Sequence, residues 1–146
     1  MIIPVNLKES REIKGLKSKE ISELLNVKKS TISGYENGYD TIPIKKLIIY
    51  ANYTKFSLDF LFGLTKLKYR VKEIVINQKA ISSNLKKLRK DNNLTQKQIS
   101  EKLNIAQSTY SNYENGINII PTTYLYALSK IYKPFSIDSL FDSHNH

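Results

Sequence analysis

Five uncharged polar side chains, Gln107, Ser108, Ser111, Asn112 and Asn115, fall within nine residues of one another, interleaved with Tyr110 and Tyr113. On a helix the two tyrosines, three apart, share one face and leave the amides and hydroxyls on the other. Such groups donate and accept hydrogen bonds but break no covalent bonds, so the chemistry they suit is recognition. A second set with a similar layout stands 78 residues earlier: Lys28, Lys29, Ser30, Ser33 and Asn37, anchored by Ile32 and Tyr35. Catalysis has little to work with. There is no cysteine, both histidines (His144 and His146) lie in the tail, and no phosphate-cradling glycine loop or acidic cluster is present. Two histidines at a terminus make a poor metal site, and the numerous serines have no plausible base. The chain is therefore expected to be no enzyme and to carry no cofactor or metal.

The elements that must hold these residues come from an internal duplication. With Leu7 set against Leu85, 20 of the 47 positions through Tyr53 are identical. One extra residue near Pro134 then shifts the register, so that Ser57-Leu58-Asp59 matches Ser136-Ile137-Asp138. Leu16/Leu94, Ile21/Ile99, Leu25/Leu103, Tyr35/Tyr113 and Leu47/Leu125 are kept in both copies, as a shared core requires. In the first copy, Pro4 opens a helix over Val5 to Lys14 with Ile3 and Leu7 facing inward, and Gly15 stops it. Ser18 to Leu25 forms a second helix, Asn26-Val27-Lys28 a three-residue turn, and Lys29 to Glu36 the helix with the polar front, closed by Asn-Gly in a left-handed turn. Pro43 restarts a helix with Ile44, Leu47, Ile48 and Ala51 inward, and Ser57 caps a last one. The predicted fold is all-α: two tandem five-helix domains at residues 1–65 and 81–142, with a basic linker at 66–80 and a tail at 143–146.

Composition narrows the partner. At 146 residues, 40% apolar and 25% charged, the chain can hold two small domains, each near the lower limit for a self-sufficient core. The net charge of +10 favours a polyanion, nucleic acid before membrane. No apolar run is long enough to span a bilayer, and Met1-Ile2-Ile3-Pro4 lacks the basic start and apolar centre of a signal peptide, so the cytoplasm is the expected location.

A short helix, a three-residue turn and a second short helix, with apolar anchors on both sides, is the layout of a helix-turn-helix. The runs Leu85-Lys86-Lys87-Leu88-Arg89, Leu94-Thr95-Gln96-Lys97-Gln98-Ile99, Ala106-Gln107-Ser108-Thr109 and Tyr113-Glu114-Asn115-Gly116 resemble the phage-repressor (Cro-like, XRE-type) helix-turn-helix domain over essentially the whole second copy. The first copy is similar to it less closely. The resemblance implies a five-helix bundle that binds double-stranded DNA, usually as a homodimer, and commonly represses transcription. It places Gln107, Ser108 and Asn112 on base-contacting positions and Gln96 on one that commonly holds a phosphate. Independently of it, glutamine and asparagine pair best with adenine, and a Thr95 cap leaves first-turn amides facing any nearby phosphate.

The first copy departs from this pattern. Lys17 stands where the second copy has Thr95, Ser18 where it has Gln96, Lys29 where it has Gln107, and Gly34 where it has Asn112. A mid-helix glycine costs about 1 kcal/mol relative to alanine and offers a base no side chain. This copy is expected to lean on the charge of Lys28 and Lys29 and on Ser30 and Ser33, with less selectivity, or else to hold a protein partner or a second chain.

Two of the three arginines, Arg11 and Arg89, occupy the same place in the two copies, each 25 residues before Glu36 or Glu114. A planar guanidinium holds a carboxylate through two parallel hydrogen bonds, so structural ion pairs Arg11 to Glu36 and Arg89 to Glu114 are predicted; the competing reading sets the arginines on phosphates. Between the copies, Lys66, Lys68, Arg70, Lys72 and Lys79 face one acid, Glu73. Leu67, Val71, Ile74 and Gln78 keep a helical spacing there, while Tyr69, Val71 and Val75 also suit a strand, so both conformations stay open. A homodimer could form through Phe60, Phe62, Tyr124, Tyr126 and Ile137. Two functions follow: a sequence-specific DNA-binding regulator, most simply a repressor, with the second domain as main base reader; or a helix-turn-helix scaffold for a protein partner, an antitoxin or an anti-defence inhibitor.

Overall fold

Among residues 1–143, which the computed structural model describes, every regular element is an α-helix, and the chain divides into two units, Met1–Ile74 and Val75 onward. The tail histidines lie outside the described residues.

The first unit contains α1 (Leu7–Lys14), α2 (Ser18–Leu25), α3 (Lys29–Asn37), α4 (Ile44–Thr54) and α5 (Leu58–Leu61). Helix α1 starts two residues later than Pro4 suggests. The Asn6 amide nitrogens explain this: its backbone N–H donates to Leu61 O at 3.0 Å and its Nδ2 to Phe60 O at 2.8 Å, so Asn6 is spent on closing the end of α5. Gly15 then ends α1 at φ +65°, where a side chain would be strained. Between α2 and α3 the chain turns at Asn26 (φ 54°), asparagine being one of the few residues that tolerate the left-handed region. Helix α5 is capped by Ser57, whose hydroxyl accepts from Phe60 N at 3.0 Å. Leu7, Ile21, Leu25, Ile32, Tyr35, Leu47, Ile48, Leu58 and Leu61 form the core, each at most 5% exposed. Burying side chains of this size contributes roughly 1.5–3 kcal/mol apiece.

The second unit repeats the order with α6 (Gln78–Asp91), α7 (Gln96–Leu103), α8 (Gln107–Glu114), α9 (Thr122–Ile131) and α10 (Ile137–Phe141). Its turn residue Asn104 adopts φ 57°, matching Asn26. Leu85, Ile99, Leu103, Tyr110, Tyr113, Leu125, Leu128, Ile137 and Leu140 are buried. Of the five apolar pairs named above, four are buried and Leu16/Leu94 are half-buried. The Asn84 Nδ2 group donates to Leu140 O at 2.9 Å, as Asn6 does to the last helix of its own unit. Unlike Asn6, Asn84 does this from within α6, which extends back to Gln78 under a cap from Asn77.

The segment expected as a linker is divided between the units. Tyr69 forms a single antiparallel bridge with Phe56, stacks on its ring at 5.3 Å, and carries Lys14 Nζ 4.7 Å from its own ring centre. Asn52 exchanges two hydrogen bonds with the Ile74 backbone, at 2.8 and 2.9 Å, and Ile74 is 4% exposed. Residues 66–74 are thus attached to the first unit, without helix, while residues 78–80 begin α6. Three of the five residues considered for a dimer surface are also corrected. Phe60, Phe62 and Ile137 lie in the cores of their own units, at 5%, 1% and 0% exposure, because each last helix must cover the rest of its bundle.

Candidate nucleic-acid interface

Helix α8 is apolar behind and polar in front. Tyr110 (0% exposed) and Tyr113 (6%) pack edge to face at 6.3 Å and anchor it to the bundle. Gln107, Ser108 and Thr109 are exposed at its amino-terminal end, with Ser111 and Asn112 half-buried and Asn115 exposed further along. Asn115 Nδ2 donates to Ser111 Oγ at 3.1 Å. The preceding helix, α7, is closed by a complete capping box: Thr95 Oγ1 accepts from Gln98 N at 3.1 Å, and Gln98 Oε1 accepts from Thr95 N at 2.8 Å. The Thr95 hydroxyl thereby satisfies one first-turn donor and leaves others to meet an anion.

Arg89 ties this surface from beneath. Its Nε donates to Glu114 Oε2 at 2.7 Å, its Nη2 to Glu114 Oε1 at 3.0 Å and its Nη1 to Leu94 O at 2.8 Å, so one guanidinium joins α6, the start of the α7 loop and the end of α8. Gln96 Nε2 adds a bond to Glu114 Oε1 at 3.2 Å. Its side chain thus rests on the ion pair, and its backbone N–H, at the first position of α7, is the part available to a phosphate. Burial works against charge on Glu114, but the hydrogen bonds from Arg89 and Gln96 and the closeness of Tyr110 outweigh it and hold its carboxyl below the usual range. Burial and then Glu114 push the Tyr110 phenol up. The Tyr110 hydroxyl nevertheless meets no acceptor in hydrogen-bonding geometry, so its effect on Glu114 is that of a close electrostatic approach.

The first unit repeats the support and changes the front. Arg11 Nε and Nη2 donate to Glu36 Oε2 and Oε1 at 2.6 and 3.1 Å, and Nη1 to Leu16 O at 3.1 Å. On α3, Lys29, Ser30, Ser33 and Asn37 are exposed, as is Lys28 just before it, while Ile32, Tyr35 and Glu36 are buried. Asn37 Nδ2 donates to Ser33 Oγ at 3.0 Å, the counterpart of the Asn115 bond. Lys17, in the place of Thr95, makes no side-chain cap. Gly34 is buried although it has no side chain, because the Asp40 carboxylate folds back over it: a Cβ on residue 34 would lie 2.8 Å from Asp40 Oδ2. Sequence reasoning identified Gly34 as a gap and missed Asp40 as what fills it. The signal was an acid six residues beyond a mid-helix glycine, and it has meaning only once the turn after α3 is known.

Both units therefore present a short helix with a polar front, backed by buried apolar side chains and a guanidinium clamp, and a B-DNA major groove admits one α-helix. Among the described residues no group of acids, histidines or cysteines could hold a metal, and no helix is long and apolar enough to cross a membrane. A family model described as Helix-turn-helix matches residues 7–61 and again 85–140. No curated protein and no solved structure matches the chain.

Proposed function

The chain belongs to the helix-turn-helix family through both of its halves, and from that premise we propose that it is a sequence-specific double-stranded DNA-binding transcriptional regulator, acting as a repressor in the cytoplasm with its second domain as main base reader. The observation that carries this reading is the partition of α8: two buried tyrosines fix the helix from behind, while Gln107 and Ser108 are exposed and Asn112 is half-buried on the polar side, with amides and a hydroxyl able to meet base edges. The excess of positive charge supports it, since phosphate neutralisation supplies the sequence-independent share of binding. The exposed Lys28 and Lys29 contribute to that share in the first domain. Two readers on one chain raise each other's effective concentration, so a single molecule can engage two half-sites without a dimer contact.

The test is Gln107→Ala with Asn112→Ala in the intact chain. Neither residue belongs to the core, so the fold stays intact. Base preference, measured by selection from randomised duplexes, is lost, while salt-sensitive binding to any duplex persists. Unchanged preference would remove α8 from the reading. A protein that co-purifies with a polypeptide partner and binds its own promoter region no better than random DNA would instead identify a scaffold for protein binding.

A further inference from the structure

Resting on the DNA-reading role proposed above, we infer that Asp40 is the specificity-determining residue of the first domain, and that its carboxylate selects cytosine where the second domain's Asn112 selects adenine. The turn following the reading helix has the same form in both domains. Tyr39 N and Asp40 N both donate to Gly34 O, at 2.9 and 3.1 Å; Ile117 N and Asn118 N both donate to Asn112 O, at 2.9 and 3.3 Å. Residue 40 therefore returns to residue 34 just as residue 118 returns to residue 112. What differs is which of the two supplies the side chain. In the second domain Asn112 carries its own amide. In the first, Gly34 has none, and Asp40 Oδ2 lies 2.8 Å from where its Cβ would stand, closer than a Cβ allows, with Cγ in ordinary contact at 3.6 Å. Asp40 stays exposed, and residue 34, over which its carboxylate lies, shares a helical face with Ser30 four residues before it and Asn37 three after. A carboxylate thus stands on α3 where an amide stands on α8.

An amide offers both a donor and an acceptor, which match adenine N6 and N7. An ionised carboxylate offers acceptors alone. In the major groove it is repelled by guanine O6 and N7, by thymine O4 and by adenine N7, whereas cytosine's own edge presents the N4 amino donor and no acceptor. The two lysines at the start of α3 offset the repulsion between this acid and the phosphates. Gly34 is then no defect in the reading helix, since it is the vacancy that admits Asp40.

The experiment is selection from randomised duplexes by the intact chain, comparing wild type, Asp40→Asn and Asp40→Ala, with folding checked by circular dichroism. Wild type recovers a two-part site. Asp40→Asn moves one base pair in one part from cytosine to adenine, on the order of tenfold in relative affinity, and Asp40→Ala loses preference at that pair, the other part being unchanged in both. A two-part site that Asp40→Asn leaves unmoved overturns the inference while sparing the DNA-reading role, and so does a variant that binds every duplex more tightly without changing preference. A wild-type chain that selects no sequence overturns both.

Discussion

Replacing Arg89 by methionine tests the view that the guanidinium clamp holds the fold and does not itself contact DNA. The substitution keeps the apolar stem and removes three hydrogen bonds, two of them to a carboxylate whose side chain is 1% exposed. Breaking a buried pair by removing one partner costs about 3–5 kcal/mol, because the remaining charge has lost its compensation. At 0.05–0.15 kcal/mol per residue, a domain the size of the 56 residues matched here has roughly 3–8 kcal/mol of stability, so most of it is lost. For a domain this small each kcal/mol shifts the midpoint by roughly 4–8 °C, giving a fall of at least about 12 °C. The same change at Arg11 costs less, since that pair is more exposed, at 19% and 8% against 10% and 1%. Arg89→Met with Glu114→Met recovers most of the loss, an apolar pair of similar volume being tolerated where a lone charge is not. The acid limb carries the sign of the effect. A carboxyl held below its ordinary value contributes stability that is complete above the unfolded pKa of about 4.3 and is lost as pH falls through the folded value. Acid unfolding of the second domain is therefore shallower in Glu114→Gln. Circular dichroism melts at several pH values, with hydrogen exchange to separate the two domains, measure all of this. An Arg89→Met protein that melts like wild type but no longer binds DNA would refute the reasoning and assign the arginine to phosphate.

Further substitutions test the local accounts. Thr95→Ala removes the capping box of α7 and destabilises the second domain by about 1 kcal/mol in denaturant titration. Lys17→Thr in the first domain places a threonine three residues before Glu20, in an extended N-cap conformation that suits it (φ −87°, ψ 150°), and stabilises that domain by a similar amount. Tyr69→Ala strips the ring from Phe56 and speeds hydrogen exchange at Ser57 and Arg70, whose amides bond to Lys68 O and Lys55 O across the bridge, while the second domain's exchange is unchanged. In the DNA-binding assay, log affinity falls linearly with log salt, and Lys28→Ala with Lys29→Ala flattens the slope by roughly 0.9 for each phosphate contact removed.

The all-helical fold was legible in the sequence because the chain supplies its own comparison. A position such as Ile21/Ile99 or Tyr35/Tyr113, kept across two copies that differ at more than half their positions, marks the buried side of a helix without any second protein. Local chemistry was legible for the same reason: Asn26 and Asn104 mark the turn, and Ser57 caps α5. Contacts between distant parts of the chain were not. Nothing in the spacing of residues 66–74 says that Tyr69 will lie on Phe56 or that Asn52 will take both backbone groups of Ile74, since each contact depends on where α4 and α5 deliver their partners. Pro4 likewise suggested an early helix start, and the pull of Asn6 on the far end of α5 outweighed it.

Helices α3 and α8 show how such long-range placement changes a surface while the sequence pattern stays nearly constant. Ser30/Ser108, Ser33/Ser111 and Asn37/Asn115 are identical between α3 and α8, and even the side-chain bond from the asparagine to the serine four residues before it recurs. Letter by letter, the first copy lacks one front side chain at Gly34. In three dimensions the Asp40 carboxylate from the loop lies over Gly34, so two helices that share three front residues differ there in hydrogen-bonding character, acceptors alone against an amide's donor and acceptor. A duplication that kept both copies alike would read a repeated half-site. On the reading proposed above, this one, with the same guanidinium clamp beneath and with Lys29 and the Asp40 carboxylate standing where the second copy has Gln107 and Asn112, reads two different half-sites from one scaffold.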